Sequence, residues 1–121
     1  MAFQYLRFSI GSVFDDPDIY EVRADHGSLD VHRENYVEDE IDFRLEDAEE
    51  LINLIEAQHI DQWKESYVDP YWVDGIQWNL EYEDDEKGHR FIVGSNAYPV
   101  GWDDFLDLMH FLDIALLGYI V

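Results

Sequence analysis

The segment Asp74-Gly75-Ile76-Gln77-Trp78-Asn79-Leu80 is the part of this sequence that best defines its fold. It combines an Asp-Gly turn signal with the start of a strand, because apolar and polar residues alternate over residues 76–82. Residues 89–93 are the expected partner strand, with Phe91 and Val93 facing inward, and the acidic loop 83–88 between the two strands ends in a glycine. These features predict a β-hairpin.

A second motif, Gly94-Ser95-Asn96-Ala97-Tyr98-Pro99, follows the hairpin directly. Asn96 favours a tight loop, because asparagine tolerates the left-handed region and bonds its own backbone. Tyr98 is expected to anchor this loop against the core. A helix should begin at Trp102, with this apolar stripe: Phe105, Leu108, Met109, Leu112 and Leu116.

The N-terminal part of the chain predicts three antiparallel strands, over residues 4–10, 19–24 and 28–33. The turn Asp25-His26-Gly27 should join the last two, with Gly27 at a positive φ. Residues 34–44 form an acidic connector that alternates with a period of two in its second half. This connector is expected to be an extended, edge-like segment, since charged edges block aggregation.

A helix is predicted from Leu45 to about Ala57, and residues 59–67 are expected to continue it until Asp69-Pro70. The order is therefore βββαββα. We expect an α+β domain over residues 1–121, with a mostly antiparallel five-stranded sheet and two helices packed on one face. The apolar end 116–121 is expected either to pack back onto the sheet or to form a homodimer contact.

Several of these motifs occur together between residues 45 and 108. They are a helix ending near Ile60-Asp61-Gln62-Trp63, the Asp74-Gly75 turn, the strand core Trp78-Asn79-Leu80, and the loop 94–99. This pattern resembles a bacterial domain family of uncharacterised function, which has a DG-x-x-W-x-L strand and a G-x-NAYP loop before a C-terminal helix. The resemblance covers roughly half the chain and implies the fold and a bacterial or mobile-element origin, with no activity attached.

The charge is the strongest global property of the chain. Asp and Glu number 29 against 7 Lys and Arg, which gives a net charge of −22. Such a field repels nucleic acid and anionic membranes and attracts basic surfaces. The charge is consistent first with solubility or adaptation to high salt, and also with a decoy for a nucleic-acid-binding protein, since duplex DNA carries roughly one negative charge per 1.7 Å of axis.

The sequence gives no indication of catalysis. There is no cysteine, and the five histidines are scattered, although His26 and His32 flank a hairpin near Asp30. No serine lies in a nucleophile elbow, and Gly94-Ser95-Asn96 lacks the lysine of a phosphate loop. We therefore predict a non-enzyme without a cofactor or a metal. A small ligand-binding or enzymatic domain centred on Asn96 and Tyr98 is the alternative.

The leading hypothesis is an acidic inhibitor that occupies a basic, nucleic-acid-binding surface of a partner protein, as anti-CRISPR and anti-restriction proteins do. An immunity protein that neutralises a basic nuclease toxin is an alternative. The chain lacks an apolar run long enough for a membrane span and a recognisable signal peptide, so we expect a cytoplasmic protein that contacts neither membrane nor nucleic acid directly. The expected partner-binding residues are twelve acids and one aromatic anchor: Glu38, Asp39, Glu40, Asp42, Glu46, Asp47, Glu49, Glu50, Trp72, Glu83, Asp84, Asp85 and Glu86.

Overall fold

The structure is a computed structural model that describes residues 2–12, 14, 16–35, 40–71 and 75–120, with side chains up to residue 117. Its strands are β1 (Phe3–Ser12), β2 (Asp18–Asp25), β3 (Ser28–Glu34), β4 (Glu40–Leu45), β5 (Ser66–Val68), β6 (Ile76–Asp84) and β7 (Gly88–Ser95). Its helices are α1 (Glu49–Glu56) and α2 (Trp102–Ile120), and a 3₁₀ turn covers Ile60–Gln62.

The strands form one seven-stranded sheet in the order β4-β3-β2-β1-β6-β7-β5. Every pairing is antiparallel except that of β5 with β7, which is parallel. The α+β class is therefore correct, and the prediction of a mostly antiparallel five-stranded sheet is wrong. The two extra strands are β4 and β5, and both lie at the edges of the sheet.

Strand β4 forms because the second half of the acidic connector pairs with β3. Phe43 lies opposite Val31 and faces the core, while Asp42 lies opposite His32 on the other face. The period of two in this segment was visible in the sequence, and the structure adds the partner. The acids point away from the core, so they do not prevent pairing.

The prediction that residues 59–67 continue the first helix is wrong. His59 takes a φ of 53°, and Trp63 is extended, so the backbone leaves helical geometry on both sides of the short 3₁₀ turn. Residues 66–68 instead pair with the end of β7. Helix α1 also begins at Glu49 rather than Leu45, because Asp47 takes a φ of 53°.

Both helices pack on one face of the sheet, and the core lies between the two layers. Helix α1 contributes Leu51 and Ile55, and α2 contributes Phe105, Met109 and Leu112. Each large apolar side chain that is fully buried here contributes about 1.5–3 kcal/mol. The largest buried side chains of the sheet lie at its centre: Trp78, Tyr82, Phe8, Leu6 and Leu80.

The strand residues around Trp78 form a tightly packed part of this core. The Trp78 ring lies over Gly94, where an added Cβ would come within 1.9 Å of the indole. Its Nε1 donates a hydrogen bond to the carbonyl of Ala97 at 3.0 Å. Asn96 takes a φ of 55°, as expected, and its Oδ1 accepts a hydrogen bond from the backbone N–H of Ile76 at 2.9 Å. The predicted hairpin and loop are thus confirmed, but the prediction that Phe91 and Val93 face inward is wrong, because they are 64% and 46% exposed and Ile92 between them is buried.

The turn between β2 and β3 is also confirmed, because His26 and Gly27 take φ values of 49° and 81°. Helix α2 continues through Gly118 to Ile120. Neither helix in the described part of the chain is long and apolar enough to cross a membrane.

Candidate partner-binding surfaces

The sheet face opposite the helices, which we call the open face, carries both signs of charge. The open-face residues of neighbouring strands lie side by side, so acids and cations meet directly across the strands. Arg44 contacts Asp30 at 2.8 Å and Asp25 at 3.1 Å, and Arg7 contacts Glu21 at 3.5 Å. These contacts pair part of the acidity on this face with positive charge.

Tyr5 occupies the centre of the open face and connects its charges. Its hydroxyl donates to Glu21 at 2.9 Å, and the Arg23 guanidinium lies over its ring at 4.6 Å. Partial burial, together with the hydrogen bond to Glu21, raises the pKa of Tyr5 to about 12. His89 stacks on the other side, with ring centroids 6.5 Å apart. At the centre of the open face, the polar and charged groups around Tyr5 therefore contact one another.

One group on the open face has the composition of a metal site. His32, Glu34 and Glu40 offer ligand atoms that all lie within 4.8 Å of one another. His32 Nε2 contacts Glu34 at 2.8 Å, and Nδ1 contacts Asp42, an arrangement that would orient the imidazole for a divalent cation. The hydrogen bonds that the His32 imidazole makes to the Glu34 and Asp42 carboxylates raise the pKa of His32. A protonated imidazole therefore satisfies these two carboxylates without a metal ion.

The helix side of the molecule differs in its charge balance. Residues 45–63 and 91–121, which contain both helices, include no Lys or Arg. Six exposed acids of this side form no ion pair within the described residues. We call them the helix-side acids: Asp47, Glu49, Glu50, Asp103, Asp104 and Asp107.

Local geometry explains why these acids are tolerated. Glu49 and Glu50 lie in the first turn of α1, and Asp103 and Asp104 lie in the first turn of α2. The positive end of a helix dipole stabilises such acids by about 0.3–1 kcal/mol each. Their charge is otherwise directed to solvent. The helix side therefore presents six acidic groups to solvent without ion pairs among the described residues.

A groove of about 490 Å³ runs between α1 and α2 on this side. Its apolar lining includes Leu51, Leu54, Leu108 and Phe111, and acids complete the rim: Glu46, Asp47, Glu50 and Asp107. Leu54 and Phe111 are 47% and 49% exposed to solvent. Such exposed apolar side chains beside one another are typical of interaction surfaces.

The acids of the β6–β7 hairpin have structural partners. Asp84 is buried, and its Oδ1 accepts hydrogen bonds from the N–H groups of Glu86 and Lys87 at 2.9 and 2.6 Å. Asp85 accepts from the N–H of Ala2 at 2.6 Å. Glu83 lies on the open face near His89. Of this predicted group, only Glu86 is exposed without such a contact in the described structure.

The expected partner-binding residues therefore lie in separate places. Glu40 and Asp42 are on the open face, whereas Glu46, Asp47, Glu49 and Glu50 lie together at the start of α1. Glu38, Asp39 and Trp72 lie outside the described residues.

The sequence analysis did not select the acids of α2. Asp103 and Asp107 are four residues apart on a predicted helix, so they share one face, and that spacing could have identified them. The position of Asp107 across the groove from α1 depends on tertiary packing, which no spacing in the sequence indicates.

The loop around Asn96 has a structural role in its described contacts. The Asn96 side chain holds the start of β6, and a Cβ at Gly75 would come within 2.1 Å of it. Tyr98 is 42% exposed and packs on Trp102, with ring centroids 5.0 Å apart. The described contacts thus account for Asn96 without a ligand.

No protein-family model matches this chain, and no curated protein matches it in sequence. The case for a function therefore depends on the surfaces described above.

Proposed function

We propose that this protein is a non-enzymatic inhibitor that binds a basic surface of a partner protein through its helix side. The observation that carries the proposal is the contrast between the two faces. Arginines on the open face form ion pairs with several of its acids, whereas Asp47, Glu49, Glu50 and the acids at the start of α2 form no ion pair among the described residues. A net charge of −22 would then act mainly through this one side.

A nucleic-acid-binding protein is the partner class that fits best. Such proteins carry grooves of Lys and Arg that normally bind phosphates. Carboxylates fixed on two rigid helices can occupy the same cations without being nucleic acid. Electrostatic complementarity of this kind gives fast association that weakens as salt rises. The concrete version is a nucleic-acid mimic of the anti-CRISPR or anti-restriction kind, acting in the cytoplasm.

An immunity protein against a basic nuclease toxin uses the same surface for a different target. In that case the acids cover an active site, and the partner is a single nuclease whose cleavage is blocked. The chain itself favours neither target, because both present clustered cations. The identity of the captured protein distinguishes them.

Affinity capture tests the proposal. The protein is immobilised and exposed to bacterial lysate at low and at high salt, and eluted proteins are identified by mass spectrometry. We expect basic nucleic-acid-binding proteins that leave the resin at high salt and when excess duplex DNA is added. Capture of neutral proteins that resists both salt and DNA would contradict the proposal.

A further inference from the structure

The groove between α1 and α2 carries an inference about how a partner binds, and this inference rests on the function proposed above. The groove combines an apolar floor with an acidic rim, and the segments that form it contain no Lys or Arg. Charge alone does not require the apolar part. A purely electrostatic decoy gains nothing from leaving Leu54 and Phe111 about half exposed.

The exposed apolar surface extends beyond the groove along α2. Ile114 lies three residues after Phe111, and Leu117 three residues after Ile114, and they are 64% and 60% exposed. Residues three apart are neighbours on a helix surface. The groove and this row therefore form a continuous apolar strip beside Asp107 and the acids of α1.

We infer that the groove binds one amphipathic helix of the basic partner, with that helix's apolar side chains against Leu54 and Phe111 and its Lys or Arg residues against the acidic rim. A helix fits better than a strand. The backbone groups of α1 and α2 are already bonded within each helix, so no free edge is available for strand addition. Binding of an amphipathic helix in a groove uses only side-chain contacts.

Charge also decides against a second copy of this chain as the occupant. Glu46, Asp47, Glu50 and Asp107 rim the groove, and another copy would bring the same acids against them. Like charges brought together at an interface are unfavourable. A basic amphipathic helix brings opposite charge to Asp47, Glu50 and Asp107, since Glu46 already pairs with Arg44 at 3.0 Å, and it covers the same apolar floor.

The inference is tested with two labelled peptides of identical Leu and Lys composition, each about 18 residues long so that helix formation is accessible. In the first peptide the leucines fall on one helical face. In the second the order is shuffled so that they do not. Fluorescence anisotropy at low salt measures the dissociation constant of each peptide for the full chain.

We expect the amphipathic peptide to bind at least about tenfold more tightly than the shuffled one. Phe111→Ser and Leu54→Ser should each remove most of this difference and leave binding of the shuffled peptide unchanged. The matched control is Phe91→Ser, because Phe91 is 64% exposed on the open face. This control should keep the full difference.

The outcomes separate the two proposals. Equal binding of both peptides, or an advantage that survives both groove variants, overturns the groove inference and leaves the acidic capture function standing. Failure of both peptides to bind at low salt overturns the proposed function as well. Both groove residues are about half exposed, so the variants should fold, and unchanged thermal unfolding confirms it. A dimer that forms through the groove would appear in light scattering and would be lost in Phe111→Ser, which also overturns the inference.

Discussion

Replacing Gly94 with alanine tests the packing on which the fold depends. The added Cβ would lie 1.9 Å from Cε2 and Nε1 of Trp78, so the indole must move. Trp78 is 1% exposed, and its ring lies 4.6 Å from that of Trp102 and 5.9 Å from that of Tyr67, centroid to centroid. A displaced indole therefore disturbs the sheet and α2 together.

The expected cost follows from the contacts that are lost. Breaking the bond from Trp78 Nε1 to the carbonyl of Ala97 costs about 1 kcal/mol. Each disturbed aromatic pair costs about 0.5–1.5 kcal/mol, and overpacking of a dense core costs about 1–3 kcal/mol. We expect Gly94→Ala to lower the free energy of unfolding by about 3 kcal/mol, a large part of the about 5–15 kcal/mol typical of native domains.

Urea denaturation followed by tryptophan fluorescence measures this change, and near-ultraviolet circular dichroism reports the environment of Trp78 in the folded state. Gly88→Ala is the matched control. Gly88 has a φ of 72° and open space around its Cβ position, so its replacement strains the backbone alone, by about 1 kcal/mol. If Gly94→Ala costs no more than Gly88→Ala, the contact between Gly94 and Trp78 does not hold this core together.

Three further predictions concern charged groups. The pKa of His32 is raised in the folded state, so its stabilising effect is full below the unfolded-state value of 6.5 and is lost as pH rises through the folded pKa. His32→Gln should therefore destabilise the protein at about pH 5.5 and have little effect at about pH 9, and a similar loss in urea denaturation at both would contradict this. Asp84→Ala should lower the free energy of unfolding by about 1 kcal/mol and speed amide exchange in the β6–β7 turn. Asp84→Asn keeps the acceptor oxygen and should cost less. An equal loss of stability in both variants would refute the capping role of Asp84. Asp113→Ala removes one of the two carboxylates that pair with the buried Arg33 and leaves Asp18 at 3.2 Å, so it should lower stability in urea by about 2 kcal/mol, and an unchanged urea midpoint would contradict this.

The sequence predicted well where the signal is local. The alternation over residues 76–82, the His26-Gly27 turn and the position of Asn96 were all readable, because each depends on a period of two or on a residue's backbone preference. Residues 89–93 were placed in a strand correctly but facing the wrong way, because three consecutive apolar residues, 91–93, do not show which of them is buried. The start of α2 was readable for the same reason, from a helical stripe with acids in its first turn.

The sequence misled where tertiary pairing overrides local preference. Residues 59–67 have apolar residues at helical spacing, yet Trp63 turns into the core and residues 66–68 join the sheet edge. Parallel pairing with β7 brings together segments distant in the chain, and no local pattern indicates it. The groove could not be predicted from the sequence for the same reason, because its walls come from α1 and α2, which are far apart in sequence.

The charge of the chain was predicted correctly in its size and incorrectly in its distribution. Its size was evident from composition, but its distribution depends on which cations reach which acids. Asp84 looked like a solvated loop acid and is buried as a turn cap. Arg44 pairs with acids of the open face, and Arg33 pairs with Asp113 of α2, so the six helix-side acids are left without an ion pair among the described residues.

The central claim is that the helix side, rather than total charge, captures the partner. The most direct measurement is the lysate capture repeated with two variants that each replace six acids by the matching amides. One variant changes the helix-side acids. The other changes six acids of the open face: Asp30, Glu34, Glu40, Asp42, Glu81 and Glu83. The account predicts that the helix-side variant loses its partners while the open-face variant, of equal net charge, retains them with unchanged salt dependence. Equal loss in both variants, or loss in the open-face variant alone, would contradict it.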